Sequence, residues 1–266
     1  MELNHHREGA GEPLVLMHGI GMRWQAWEPV LPLLAPEREV IALDLPGFGA
    51  SPMPPTGTPA GIEPLARLVG EFLDSVGVER PHVAGNSLGG WVALELAKQG
   101  RARSATGVSP AGFHNELQGR YQRASLWTTR RVTRMIAPHA DRLLRARLAR
   151  VAVGGQYFAK PIRVPLDAMI ANVRAVAAAP WFDETLRAIT GEHFTGGEQI
   201  SVPVTIAWGE RDRLLLPRQA QRANAAIPGA RMVTLRGCGH VPMWDDPGQV
   251  ASVLLEGSAP PAAESR

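Results

Sequence analysis

The sequence predicts an α/β fold: a mostly parallel, twisted sheet flanked by helices on both faces, with a helical cap inserted between two of its strands. Three observations predict it. Runs such as Leu14-Val15-Leu16-Met17 and Val40-Ile41-Ala42-Leu43 are apolar without a break, as expected of strands covered on both faces. These runs alternate with stretches of helical period, the pattern of a parallel sheet wrapped by helices. The alternation then stops over residues 111–200, which read as helical, arginine-rich and broken by Pro138, Pro161, Pro165 and Pro180.

In chain order, residues 2–8 suggest a short strand and 9–13 a turn. The strand at 14–17 ends in His18-Gly19-Ile20-Gly21. Residues 24–34 read as a helix and 39–43 as a buried strand. That strand ends in the loop Asp44-Leu45-Pro46-Gly47-Phe48-Gly49-Ala50-Ser51. An amphipathic helix over 62–76 stops at Gly77. A strand over 81–86 turns sharply at Ser87 into a further helix, and 104–108 is the next strand. Beyond the gap, strand signals return at 202–208. A helix over 217–226, a strand over 231–235 and a last helix over 241–255 follow. The expected organisation is a core made of residues 1–110 and 201–256, a cap of 111–200, and an alanine- and proline-rich tail, 257–266, that frays. Such a sheet gathers its ligands at the carboxyl ends of its strands. The loops at His18, Asp44, Ser87 and Asp212 all follow strands at that edge.

Composition narrows the function classes. A net charge of +3 is too small to argue for nucleic acid, and no basic–aromatic stripe or zinc-finger spacing supports it. Cys238 is the one cysteine, so no intrachain disulfide is expected, which suits a reducing cytoplasm. The first thirteen residues carry no apolar run like a signal peptide, and no segment approaches the ~20 apolar residues of a membrane span. Stable membrane insertion is therefore not expected; the partner expected is a small-molecule substrate. Oligomeric state is not legible. His5-His6 reads as a solvated strand face. The arginine- and leucine-rich run 142–150 reads as a solvated helix face with its leucines turned inward. Without a His-Glu-x-x-His helix or a Gly-x-Gly-x-x-Gly turn after a strand, no metal and no organic cofactor is expected.

The chemistry centres on Gly85-Asn86-Ser87-Leu88-Gly89. It fits Gly-x-Ser-x-Gly, a turn that holds a serine at the tip of a strand-to-helix reversal. The residues two before and two after the serine must pack closely, and Gly85 and Gly89 have no Cβ to prevent it. Ser87 then stands above the sheet, at the positive end of the following helix.

Four motifs together resemble the α/β-hydrolase superfamily over nearly the whole chain: His18-Gly19 after a strand, Asp44-x-x-Gly47-x-Gly49-x-Ser51, the serine turn, and Gly239-His240 near the end. A fifth, Trp208-Gly209-Glu210-x-Asp212 with Pro217 beyond, resembles the family's acid loop. The amino-terminal end is short of the family's first strand, and the cap carries no signature. The family order Ser…Asp…His is met by Ser87, Asp212 and His240. A serine hydroxyl needs a base to take its proton, and His240, between Gly239 and a helix, lies on the catalytic edge. Asp212 is the acid expected to orient it, with Glu210 the runner-up. The strand 104–108 ends in Ser109-Pro110-Ala111-Gly112, with no acid to serve instead. His18 resembles the histidine that braces the oxyanion loop, and Asp44 is expected to brace its own glycine loop. The backbone N–H groups of Ile20 and Leu88 are the expected oxyanion donors.

A serine at the turn implies acyl transfer. Haloalkane dehalogenases and epoxide hydrolases of this superfamily use an aspartate there. The expected activity is hydrolysis of a small or medium apolar carboxylic ester. Carbon–carbon bond hydrolases of aromatic ring-cleavage products, perhydrolases and lactonases remain as alternatives, as does a ligand-binding protein on the same fold. The pocket is expected between cap and strand ends, and largely apolar. Trp24, Trp27, Trp127, Trp181, Val241 and Met243 are candidate lining residues, with Phe113 and Phe158.

Overall fold

The computed structural model describes residues 1–259. Seven strands form one sheet: β1 (His5–Glu8), β2 (Pro13–Met17), β3 (Glu39–Leu43), β4 (His82–Asn86), β5 (Ser104–Val108), β6 (Val204–Gly209) and β7 (Arg231–Leu235). Their order is β1-β3-β2-β4-β5-β6-β7. Edge strand β1 runs antiparallel to β3, and every other pairing is parallel. The helices are α1 (Leu31–Leu34), α2 (Ile62–Ser75), α3 (Leu88–Lys98), α4 (Glu116–Ile136), α5 (Ala140–Leu143), α6 (Arg147–Gly154), α7 (Leu166–Ala178), α8 (Phe182–Gly191), α9 (Gln219–Ala226) and α10 (Pro247–Gly257).

The unbroken apolar strands feed two cores. Because successive strand side chains point to opposite faces, Val15, Met17, Ile41, Leu43 and Val83 enter one cluster with α2 and α3 residues such as Val69, Phe72 and Val92. Their neighbours Leu14, Leu16, Val40, Ala42 and Ala84 enter the other, with Leu31 and Leu34 of α1 and Val250 and Leu254 of α10. A sheet covered on both faces has no polar side to show, hence the absence of alternation in the sequence.

Helices α4 to α8 all lie between β5 and β6, where the alternation lapses. Helix α4 begins with a full capping box. Asn115 Oδ1 accepts the Gln118 N–H at 2.9 Å, and Gln118 Oε1 accepts the Asn115 N–H at 3.2 Å. It packs on α7 and α8. Arg130, buried at 2% exposure, donates to the carbonyls of Val176 and Ala179, and its guanidinium lies 5.1 Å from the Phe182 ring centre.

Three local expectations are corrected. Residues 24–34 do not form one helix. A 3₁₀ turn, Trp24–Trp27, precedes α1, which Pro32 opens from its first turn, where a missing N–H costs nothing. Residues 241–255 likewise divide into a 3₁₀ turn, Pro242–Trp244, and α10, because Pro242 and Pro247 fit only first turns. The run 142–150 turns only part of its leucines inward: Leu144 is fully buried, but Leu143 is 42% and Leu148 84% exposed. Of the predicted tail, Gly257 ends α10 and Ser258 is buried, and residues 260–266 lie outside the described residues.

Candidate active site

The turn after β4 has the geometry its glycines demand. Ser87 sits at φ 57°, in the left-handed region that a side chain enters only under constraint. A Cβ on Gly85 would lie 2.1 Å from the Gly89 carbonyl oxygen, and one on Gly89 2.2 Å from that of Met17. Surrounding bonds lock the turn. Ser87 N–H donates to the Val108 carbonyl at 3.0 Å, and Gly89 N–H to that of His18 at 3.1 Å. Asn86 Nδ2 reaches both the Val108 carbonyl at 3.0 Å and the His240 carbonyl at 2.8 Å. One asparagine thus ties the serine turn to β5 and to the histidine loop, a role the sequence reading did not foresee.

The acid loop follows β6. Gly209 has no side chain because a Cβ there would meet the Gly239 carbonyl oxygen at 2.1 Å, so the two loops are packed backbone to backbone. Trp208 Nε1 donates to the Leu215 carbonyl and closes the loop at 2.8 Å. Inside it, Asp212 Oδ1 accepts the N–H groups of Leu214 and Leu215 at 2.9 and 2.8 Å, and Oδ2 meets His240 Nδ1 at 2.7 Å. Both residues are buried. An ionised carboxylate only accepts, so Nδ1 carries the proton and Nε2 keeps its lone pair. Glu210, the runner-up, is exposed and accepts the Gly237 N–H instead.

Ser87 and His240 open into the same cavity, of about 70 Å³. Among the described residues no hydrogen bond joins Ser87 Oγ to His240 Nε2, although the sequence led us to expect one within reach. Gly19 lies against the serine, 3.3 Å from its Cβ for an added methyl, and brings Ile20 to the cavity wall. The N–H groups of Ile20 and of Leu88, the first residue of α3, make no hydrogen bond among the described residues.

His18 is fully committed. Its Nδ1 donates to the Gly19 carbonyl at 2.7 Å and its Nε2 accepts the Leu45 N–H at 2.9 Å. Burial lowers its pKa, against the pull of Asp44, and keeps it neutral. Asp44 holds Trp24 N–H, Ala50 N–H and Asn4 Nδ2 at 2.6–2.8 Å. It ties its own loop to two others. Cys238 is buried, and burial together with Asp245 and Asp246 pushes its thiol up to about 12, so it stays protonated.

The predicted lining is corrected. Val241 lines the cavity, as do Ile20 and Phe158. Trp27 and Met243 are wholly buried in the core beneath α1 and α10. Trp24 stacks on His6, ring centres 4.6 Å apart. Trp181 packs against Gly47, and Phe113 against Phe194. Trp127 is 52% exposed on the outside of α4. Tryptophans were chosen for their size, but the walls come from smaller side chains on the inner faces of α4 and α7: Leu126, Thr129, Met169, Val173 and Val176, with Phe182 of α8. The i, i+3, i+4, i+7 spacing of 169, 173 and 176 was a signal that could have found them. Tyr157, Thr129, Thr133 and Asn172 are the polar groups added by this segment, and among the described residues no lysine or arginine lines the cavity.

The same segment is stitched to the histidine loop. Val241 N–H donates to the Tyr157 carbonyl at 2.9 Å. The Asp245 carboxylate accepts Ala159 N–H, Lys160 N–H and Gly239 N–H at 2.9, 2.7 and 2.8 Å.

Residues 14–253 match the alpha/beta hydrolase family. The chain belongs to that family. It is 32% identical over 202 residues to the epoxide hydrolase EphH of Mycobacterium tuberculosis, covering 71% of this chain and 91% of that protein. It is 27% identical over 260 residues to a 2-hydroxy-6-oxononadienedioate/2-hydroxy-6-oxononatrienedioate hydrolase of Cupriavidus pinatubonensis, covering 89% of this chain and 83% of that one. Among solved structures, a thermophilic esterase from Thermogutta terrifontis superposes with a TM-score of 0.72 at 20% identity, over 96% of this chain and 92% of that one. No helix among the described residues is long and apolar enough to cross a membrane.

Proposed function

We propose that this hydrolase cleaves carboxylic esters of small or medium apolar molecules through an acyl-enzyme on Ser87. In this reading His240 Nε2 takes the Ser87 proton as Oγ bonds to the ester carbon. The resulting oxyanion rests on the N–H groups of Ile20 and Leu88. The carbon–oxygen bond to the alcohol then breaks, and the alcohol leaves with the proton from His240. Water, deprotonated by His240, attacks the acyl carbon; Ser87 recovers its proton and the acid departs. Asp212 holds the Nδ1–H tautomer and stabilises the imidazolium. Residues 111–200 serve as the cap over the site. Low cysteine use fits a cytoplasmic enzyme without requiring it.

The observation that carries the reading is the pairing of Asp212 with His240 on a cavity shared with Ser87 and free of lysine and arginine. The missing cation weighs against a dienoic-acid substrate of the carbon–carbon hydrolases, because its carboxylate would be desolvated without a counter-charge. Lactone hydrolysis and perhydrolysis would use the same acyl-enzyme. Epoxide opening fits poorly. An aspartate attacking an epoxide gives an ester that water can cleave, whereas Ser87 would give an ether that this site cannot hydrolyse.

The test is a panel of acyl esters of rising chain length, with a vinylogous diketone acid included, run beside labelling by a fluorophosphonate. Ester turnover above diketone turnover, with one adduct per chain on Ser87, is the expected result. Absence of labelling in folded protein would overturn the acyl-enzyme and favour the ligand-binding alternative.

A further inference from the structure

The cap differs from the core in charge and in what it leaves bare. Residues 111–200 hold thirteen basic and seven acidic residues, net +6, although the whole chain carries +3. They also carry eight of the twelve large apolar side chains that are exposed among the described residues. That coincidence is unlike an ordinary solvated surface, where apolar side chains are scattered singly.

The two features are ordered along α4. On the flank toward α8 lie Arg120, Arg123, Trp127, Arg131 and Arg134. Trp127 is half exposed, with the Arg131 guanidinium 4.9 Å from its ring centre. Among the described residues Arg120, Arg123 and Arg131 form no ion pair; Arg134 reaches Asp183 at 3.4 Å. On the flank toward α6 are Tyr121 and Val132, both exposed, which line a groove with Ala152 and Val153. Thr129, Thr133 and Val153 border both this groove and the cavity holding Ser87. Leu148, one turn before Ala152 on α6, extends the apolar rim at 84% exposure.

We propose that this outer face of the cap docks on an anionic phospholipid surface, with the groove between α4 and α6 opening onto the lipid. The guanidinium groups meet the headgroup phosphates, and Trp127 takes the interfacial position its amphipathic ring favours. The apolar rim then lies at the level where a neutral acyl ester partitions, beside the passage to Ser87. A second copy of the cap is disfavoured as occupant, since two faces of net +6 would repel. The docking is independent of the chemistry; that the groove receives an ester rests on the reading given above.

The experiment is flotation of the whole protein with vesicles of phosphatidylcholine alone and of phosphatidylcholine with phosphatidylglycerol. Binding to the anionic vesicles only, reversed by salt, is expected. The triple substitution Arg120→Gln, Arg123→Gln, Arg131→Gln should weaken it about a hundredfold, at roughly a fivefold loss per arginine. It should leave turnover of a short water-soluble ester and the circular dichroism spectrum unchanged. Equal binding to both vesicle types, no binding to either, or undiminished binding by the triple variant would overturn the proposal. So would a concentration-dependent dimer, by sedimentation, that the triple variant abolishes. Flotation with no hydrolysis of any ester would retain the docking and overturn the ester reading alone.

Discussion

At the scale of single residues, His240 is already paired with Asp212, and Ser87 shares its cavity. Ser87→Ala and His240→Ala should each remove turnover on the order of 10⁶-fold, because members of such a set act as a unit. Asp212→Asn should lower kcat by ~10⁴ with little change in KM, the effect of inverting the imidazole tautomer. Asp44→Asn is the contrast. Its carboxylate holds three donors from three loops, so its loss should appear in the melting temperature more than in kcat. Steady-state kinetics beside thermal unfolding separates the two patterns. That Ser87, Asp212 and His240 stand in loops at one edge of the sheet was legible because each follows a strand, and Gly85, Gly89, Gly209 and Gly239 mark places where backbones pack closely. The role of Asn86 was not, because nothing in a sequence says that its amide spans from β5 to the histidine loop.

Among the elements, the inner strands were read to within two residues, since an unbroken apolar run admits little else, whereas the polar edge strand β1, read as 2–8, is His5–Glu8. The helices that abut prolines were not, because a proline marks a boundary without saying how the chain restarts. The serine turn predicts its own intolerance. Gly85→Ala places a methyl 2.1 Å from a carbonyl oxygen in a core that cannot give, and should destabilise by about 3 kcal/mol or more, read as a lowered midpoint in urea. Helix α4 offers a different test. Arg130→Met strands the carbonyls of Val176 and Ala179, each losing a charge-assisted bond of roughly 1.5–3 kcal/mol. Val176 and Phe182 wall the cavity, so KM should rise more than kcat falls, and proteolysis should begin in residues 111–200. Residues 111–200 were foreseen as helical, but which of their side chains line the cavity was not. Which face turns inward depends on a neighbour that the local sequence does not name.

For the whole molecule, acid stability is set by histidines scattered far apart. Burial lowers the pKa of His18, of His82 against its bond to Glu12, and of His114, which falls to about 4 beside His193 and Arg222. The unfolded chain binds these protons near pH 6.5, whereas the folded protein does not. Stability therefore falls as the pH drops below 6.5, with a slope set by the protons the unfolded state alone takes up. Melting temperatures between pH 7 and 5 should decline. His114→Gln should flatten that decline by one proton's worth while leaving the value at pH 7.5 nearly unchanged if its packing is retained. The fold class and the order of the sheet's motifs were legible at this scale. The sheet's two separate cores and the opposite net charges of residues 111–200 and the rest of the chain were not drawn from composition, which averages over them.

The bonds from Asp245 and Val241 to residues 157–160 have a mechanical consequence. A lid hinged at both of its chain ends could swing away from the sheet as one body. Residues 111–200 are tied again beside His240, so such a swing would pull on the loop that carries His240. The tie reaches further, because Gln156 and Tyr157 of the same stretch bond Ser125 and Thr129 of α4. Amide exchange should accordingly be slow at Ala159, Lys160 and Gly239, whose N–H groups share the Asp245 carboxylate.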